Sequence, residues 1–587
     1  MEYSAGSFTL FDYAILILML AFSASIGIYY RFSGGRQKTN KEYFLANKDM
    51  PITPVAFSLM ASFMSAVTIL GVASENYMNG TQFVIINIAY IIGTPIAAFI
   101  FLPVFFQMQA TSAFEYLERR FSKETRLLAS SIFILQMVLY MSIVLYAPAL
   151  TLSAVTGLST WTSVLSIGTV CTFYSTIGGM KAVLWTDLFQ SVLMFLAVFA
   201  VIAKGTIDVG GFSQVFDIAS KGERIQFFNF DPDPTVRHTV WSLAIGGIFT
   251  YTSIYAVNQA QIQRLLTVKS LKKSQIALFI NWPITSLLSV TTSLAGIVVY
   301  ANLWKCDPLL RSEETHVTRS DQILPYYVMA SLSVFPGLPG LFVSGVFSAA
   351  LSTVSSAINS LAAVTVEDYL RPLCFRNTSE SRIANFTKLT AFIYGLLCIL
   401  LTFVVEKLGG VLEASLTIFN VIGGPMLGLY SLGMLCRRAN AKGSVVGFIS
   451  SIILCMYVGL GSMLTRNKTV PVLHRSLDDC PLNKTFIVDS YAGNFFNVTT
   501  ESNEVLIADQ NHTSLEVEDK YIFPLLRLSY MWYAALGWFT CMIVGLSASF
   551  IFGKEKAVDP VLLSPVVSSW SSKKSHEAEE FDLTECT

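Results

Sequence analysis

Charge is what this 587-residue sequence is short of: Asp, Glu, Lys and Arg make up 13% of it, against roughly 25% in a soluble globular chain. Its 39 basic and 39 acidic residues cancel, so no excess of positive charge argues for nucleic acid as a partner. The nine cysteines show no metal-ligand spacing, and the five histidines lie in polar connecting segments. No zinc motif, phosphate-binding glycine loop, kinase signature or nucleophile elbow is present. Nothing here points to an enzyme or to a bound cofactor. A basic stretch ahead of the first apolar run is missing too, so a cleaved signal peptide is not expected. What the chain has in abundance is apolar residues, 53% of the total. It reads as an all-α polytopic membrane protein whose solvent is the lipid bilayer.

A helix needs about 20 apolar residues to cross the hydrocarbon core. Thirteen such runs are expected, near 10–30, 51–74, 83–107, 127–156, 160–177, 185–204, 239–262, 276–302, 340–365, 387–405, 410–435, 443–464 and 529–552. Lys and Arg crowd alternate short connections, which predicts the side facing the cytoplasm. They are Arg31, Arg36, Lys38, Lys41 and Lys48, then Arg119, Arg120, Lys123 and Arg126, then Arg264, Lys269, Lys272 and Lys273. Arg371, Arg376 and Arg382 follow, then Arg437, Arg438 and Lys442. The bias puts the N-terminus outside and the C-terminus inside.

Glycosylation sequons agree with that orientation. Asn467, Asn483, Asn497 and Asn511 fall in the segment 465–528, which the topology places outside, so they are expected acceptors. Asn377 and Asn385 fall inside and should be silent, and Asn79 hugs the membrane. Cys306 and Cys480 both lie in outer connections, where a disulfide could persist. The polar tail 553–587 is expected to be disordered on the cytoplasmic side.

The run from Ser344 to Asp368 is apolar enough to span a bilayer, yet dense in hydroxyls. Ser352, Ser355, Ser356 and Asn359 fall at i, i+3, i+4 and i+7 and share one helix face, with Thr353 beside them. Side-chain oxygens in hydrocarbon need partners, so the stripe must meet protein, water or an ion. Close packing between helices is the plain alternative. Two further spans carry polar residues that an anchor would not need: Ser58 to Glu75, and Gly246 to Gln259. The glycine pair Gly246-Gly247 is expected to let its helix unwind, freeing carbonyls for a cation. A hard ion such as sodium suits hydroxyl and carbonyl oxygens.

The runs Tyr174-Ser-Thr-Ile-Gly-Gly-Met-Lys-Ala-Val-Leu-Trp-Thr-Asp187, Ser62-Phe-Met-Ser-Ala-Val, Leu351-Ser-Thr and Ala362-Ala-Val-Thr-Val-Glu-Asp368 resemble the sodium/solute symporter family across nearly all spans. Tyr146-Ala-Pro-Ala-Leu, Pro336-Gly-Leu-Pro-Gly-Leu-Phe and Asp231-Pro-Asp-Pro with Arg237-His-Thr narrow the likeness. They are similar to its animal branch of sodium-coupled monocarboxylate, multivitamin and iodide transporters. The resemblance implies a LeuT-like broken-helix core of two inverted five-helix repeats, 51–204 and 239–436, joined by the outer loop 205–238. Residues 1–50 hold the first span and an inner loop, and 437–552 hold the last two spans.

By the same resemblance, sodium is bound by the carbonyls of Ala61, Met64 and Ala349 and the hydroxyls of Ser352 and Thr353. Asp187 helps the ion leave inward, the bland alternative being a solvated cap at a helix start. The substrate pocket draws on Phe63, Ser65, Thr68, Tyr140, Thr250, Tyr251 and Thr252. Thr68 matches the monocarboxylate type, where iodide-type relatives carry Gln and multivitamin-type relatives Ala. Met78 departs from the pattern, since relatives usually have Arg there. The implied function is sodium-coupled uptake of a small anionic solute at the plasma membrane, a monocarboxylate such as lactate, pyruvate, nicotinate or a short-chain fatty acid. Halide or vitamin carriage is the alternative within the class, and a sodium-dependent sensor or channel on the same scaffold the alternative outside it.

Overall fold

The computed structural model describes residues 8–32, 40–108, 111–373, 378–405, 410–465, 473–478, 480, 523–553 and 558–567. Every regular element among them is helical. The longer elements are α1 (Leu10–Phe32), α2 (Ile52–Phe63), α3 (Ala73–Asn79), α4 (Thr81–Met108), α5 (Glu115–Arg120), α6 (Lys123–Thr156) and α7 (Thr160–Val209). Then come α8 (Gly247–Val257), α9 (Gln259–Leu265), α10 (Leu271–Leu303), α11 (Leu338–Val364), α12 (Glu380–Val405), α13 (Val411–Leu435), α14 (Ala441–Thr465) and α15 (Tyr533–Phe552). Among the described residues, ten helices are long and apolar enough to cross a membrane, or eleven if one bent pair counts as a span. The two other expected spans are shorter pieces: 160–178, ahead of a kink in α7, and the apolar helix Ser242–Val257. The α7 kink falls at Gly179 (φ 60°, ψ 175°), a conformation that side chains with a Cβ rarely adopt.

The hydroxyl-rich helix α11 is the axis of the bundle. Every residue from Phe342 to Val364 is buried, because α7, α6, α1, α12 and α2 all pack around it. A helix wrapped on all sides needs no polar face toward solvent, so its hydroxyls must be used internally. Ser355, Ser356 and Ser360 donate back to the carbonyls of Ser352, Ser352 and Ala357, at 3.1, 2.5 and 2.9 Å. The first span, α1, lies at the rim, with Leu10, Phe11 and Leu18 largely exposed.

Two spans are broken, and neither break uses the expected glycines. Between α2 and the Thr68–Asn79 segment the chain bends by 61°. Serine causes it: Ser65 N–H donates to Phe63 O (2.9 Å), and the Ser65 hydroxyl accepts from Val67 N–H (3.2 Å). Such local bonds compete with the helix ladder. The second break is at Asn258 (φ −74°, ψ 128°), whose side chain caps α9 by accepting from Ala260 N–H at 2.9 Å. Gly246 and Gly247 stay helical, contrary to expectation. Their missing Cβ atoms serve close approach instead, since a Cβ on Gly246 would lie 2.4 Å from Met531 O.

Cys306 and Cys480 are joined in a disulfide with their Cα atoms 5.0 Å apart. The four outer sequon asparagines, Asn467, Asn483, Asn497 and Asn511, lie outside the described residues. One stretch of the expected disordered tail is packed: Leu562 and Leu563 are buried. There Tyr116 donates to Leu562 O (3.0 Å), and Ser564 N–H donates to Met434 O (2.9 Å). The apolar pair Leu562-Leu563 explains the docking, because it buries against the ends of α5 and α13 while Val561 stays exposed.

Candidate functional site

The break in the first bent span creates the site's oxygens. In an unbroken helix Ser65 N–H would bond the Ala61 carbonyl. Here it turns to Phe63 O, so the Ala61 carbonyl is released. The Thr353 hydroxyl, facing it from α11, lies 3.3 Å from Ala61 O and 3.0 Å from Ala349 O. Met64 sits at the break itself (φ −76°, ψ 84°), and Thr68 N–H, its carbonyl's helical partner, donates to Ser65 O instead. Ala61, Ala349, Ser352 and Thr353 are thus brought together, with Met64 at the rim of the group. Carbonyls and hydroxyls converging in a buried spot are ligands for a hard cation.

Asp187 stands beside this group and is fully buried. It accepts from Ser352 Oγ (2.7 Å) and from Ser58 Oγ (2.5 Å). It is no solvated cap, for it sits well inside α7. Next to it is a residue that sequence reasoning missed. Arg264, expected in a cytoplasmic connection, has no exposure at all. It donates from Nε to Ser58 Oγ (2.8 Å), from Nη1 to Ala260 O (2.6 Å) and from Nη2 to Ser356 Oγ, and its Nη2 lies 3.6 Å from Asp187 Oδ2.

The reason for the misreading is visible in α9. The run Gln259-Ala-Gln-Ile-Gln-Arg264 is polar enough to suggest a surface, yet all of it is buried. Each glutamine amide clips onto a main-chain carbonyl: Gln259 to Thr111 O (3.0 Å), Gln261 to Leu59 O (3.3 Å) and Gln263 to Phe44 O (3.0 Å). Three glutamines at alternate positions of a short helix, just after a break, are the signal that marked this segment.

The residues expected around the substrate divide into two sets. Phe63 is half-buried, its ring 5.9 Å from Tyr255 and 6.4 Å from Phe419, and Phe419 lies 4.4 Å from Tyr140. Ser65 is buried at the break and Thr68 half-buried just beyond it. Thr250 donates to Asn420 Oδ1 (2.7 Å), the neighbour of Phe419. Tyr251 instead exchanges a hydrogen bond with Thr94 (2.8 Å) on α4 and stacks on Tyr255 at 4.4 Å, a packing position. The Thr252 hydroxyl is buried with no partner among the described residues. Phe419 and Asn420 of α13 were not expected, because single residues within an apolar run carry no signal of which way they face.

A second charged cluster closes the far end of the bent span. Arg237 donates to both oxygens of Glu75 (3.0 and 2.9 Å) and to Glu413 (2.6 Å). His238 lies 3.4 Å from Glu75 and 2.7 Å from the Tyr530 hydroxyl. Burial disfavours the Arg237 charge, but the Glu75 carboxylate more than offsets this and holds the guanidinium well above its usual range. Although Met78 stands where an arginine was expected, Glu75 therefore has a cationic partner from another element. Nearby, Asp321 accepts from Val411 N–H (3.2 Å), and burial pushes its carboxyl up to about 6.

The model of the Sodium:solute symporter family matches residues 43–451. A Drosophila melanogaster protein whose name refers to sodium-dependent multivitamin transport is 47% identical over 549 residues, covering 93% of this chain and 87% of that one. The sodium-dependent multivitamin transporter of Oryctolagus cuniculus is 42% identical, with 96% and 86% covered. The sodium-coupled monocarboxylate transporter 1 of Xenopus laevis is 41% identical, with 94% and 87% covered. A solved structure of a Na+-coupled sialic acid symporter, substrate-bound and outward-open, superposes with a TM-score of 0.74 at 23% identity, over 94% of this chain and all of that one. At that identity the likeness speaks for the fold alone.

Proposed function

The chain belongs to the sodium:solute symporter family, and on that premise we propose that it carries a small organic anion, a monocarboxylate, into the cell together with sodium. The observation that supports this best is the Ala61 carbonyl, released by the serine break and met by the Thr353 hydroxyl of the buried helix α11. Ala61, Met64, Ala349, Ser352 and Thr353 form the sodium site, and Asp187 lies on the ion's inward path. Phe63, Ser65, Tyr140 and Thr250, with Phe419 and Asn420, line the substrate's place. The fold is two inverted repeats, 51–204 and 239–436, within thirteen spans, the N-terminus outside and the C-terminus inside, in the plasma membrane. Neither catalysis nor a cofactor is involved. Each net positive charge that enters gains about 2.3 kcal/mol per 100 mV of membrane potential, so a cycle moving more sodium than anion charge concentrates its substrate.

Thr68 favours the monocarboxylate, being the residue of that type of relative. Vitamin carriage is the second reading, favoured by the names of the Drosophila and Oryctolagus relatives. Uptake of labelled lactate, biotin and iodide by cells expressing the chain, in sodium and then in choline, separates them. Sodium-dependent lactate uptake that biotin fails to inhibit is the expected result. Sodium-dependent uptake of biotin or iodide without lactate would move the substrate, and no sodium-dependent uptake would defeat the reading.

A further inference from the structure

Arg264 is a full charge buried at the centre of the bundle, and the cycle above gives it no task. Its guanidinium is anchored on three sides, to Ser58, Ser356 and Ala260 O. Yet it stops 3.6 Å from Asp187, beyond a direct charge-assisted bond, which is about 2.8 Å long. The Ser58 hydroxyl bridges the gap, accepting from Arg264 and donating to Asp187. The two charges are poised close together but not closed. The distance left to cover is about 1 Å, within the reach of a side chain on a short helix that follows a break.

We propose that Arg264 is a tethered counter-ion for Asp187, closing onto the carboxylate when the transported sodium has left. The inference rests on the reading of Ser352 and Asp187 as part of the sodium path. While sodium sits among Ala61, Ala349, Ser352 and Thr353, its charge compensates Asp187, which touches the site through Ser352. Arg264 then stays on its serines. Once sodium leaves, Asp187 keeps two serine donors and a guanidinium held off at 3.6 Å, and a buried carboxylate without a closed charged partner is disfavoured. The empty carrier must nevertheless return to collect its next load. A guanidinium already in place supplies the missing positive charge, so the return step carries no unpaired buried anion. Arg264 is on this account a positioning residue that also competes with sodium, which helps the ion leave.

The test compares net uptake with exchange in liposomes holding the full chain. Exchange, with sodium and substrate saturating on both sides, shuttles only the loaded carrier, whereas net uptake requires the empty return. In Arg264→Gln, net uptake is expected to fall by at least about tenfold. Exchange stays within about threefold of wild type, and the sodium concentration giving half-maximal exchange falls. Arg264→Lys keeps a positive charge and restores much of the net rate. In Asp187→Asn/Arg264→Gln, with both charges gone, net uptake recovers relative to exchange, even if either single variant is poorly produced. A parallel loss of net uptake and exchange in Arg264→Gln, with sodium half-saturation unchanged and no relief in the double variant, would overturn the proposal. Wild-type liposomes without sodium-dependent exchange would instead defeat the transport reading beneath it.

Discussion

Thr353→Ala removes one oxygen from the group around the released Ala61 carbonyl and leaves the backbone untouched. The hydroxyl is buried and lies within 3.3 Å of Ala61 O and 3.0 Å of Ala349 O, and alanine offers no oxygen in its place. A bond between a charged group and a neutral partner contributes about 1.5–3 kcal/mol. At 1.4 kcal/mol per decade, sodium affinity should fall about 10- to 100-fold. Thr353→Ser retains the oxygen and should stay within about threefold of wild type. The assay is substrate uptake into liposomes at a series of sodium concentrations, with choline keeping ionic strength constant. A half-saturating sodium concentration in Thr353→Ala within twofold of wild type would refute the assignment of this hydroxyl to the ion, provided substrate half-saturation is also unchanged.

Arg237→Gln leaves Glu75 buried beside Glu413 without its guanidinium, a loss of about 3–5 kcal/mol, seen as a lowered thermal midpoint in detergent. Arg237→Lys should lose less, and equal midpoints for all three proteins would contradict the pairing. Gly296→Ala would set a Cβ 2.3 Å from Ala73 O, whereas Gly410 has nothing within 4 Å of such an atom. The first should lose about 1–3 kcal/mol of stability and the second almost none, which the yield of folded protein in membranes would register. Asp321 is held at about 6 by burial, above its unfolded value, so the folded state binds the extra proton. Stability therefore rises as pH falls from 7.5 through 6. Asp321→Asn should flatten that rise in a pH series of melting curves, and an unaltered slope would show that the slope has another source.

The hydroxyl row of α11 was legible because hydrocarbon gives a serine nothing to bond. A stripe of them had to be spent inside the protein, and the structure spends part on helix carbonyls and part on Asp187 and Ala61. The break at Met64 and Ser65 was legible only through the family likeness, since no glycine or proline marks it. Gly246-Gly247 misled for the converse reason: a glycine pair serves close packing as readily as unwinding, and only the neighbour, Met531 O, tells which. Arg264 was hidden by a rule that holds on average, that arginine near a span end lies in water. Its burial depends on Ser58, Ser356 and Asp187, which come from three other helices. The docked 558–567 segment was missed because its six apolar residues, interrupted by Asp559, Ser564 and two prolines, form no run long enough to stand out from a polar tail.

The central claim is coupling, and flux of the ion itself tests it most directly. Liposomes holding the purified chain would be given radiolabelled sodium at equal concentration on both sides and an inward gradient of lactate. The account predicts that sodium accumulates inside against no gradient of its own, that the accumulation collapses when lactate is equal on both sides, and that Thr353→Ala weakens it. Lactate entering down its gradient with no net movement of sodium would contradict it.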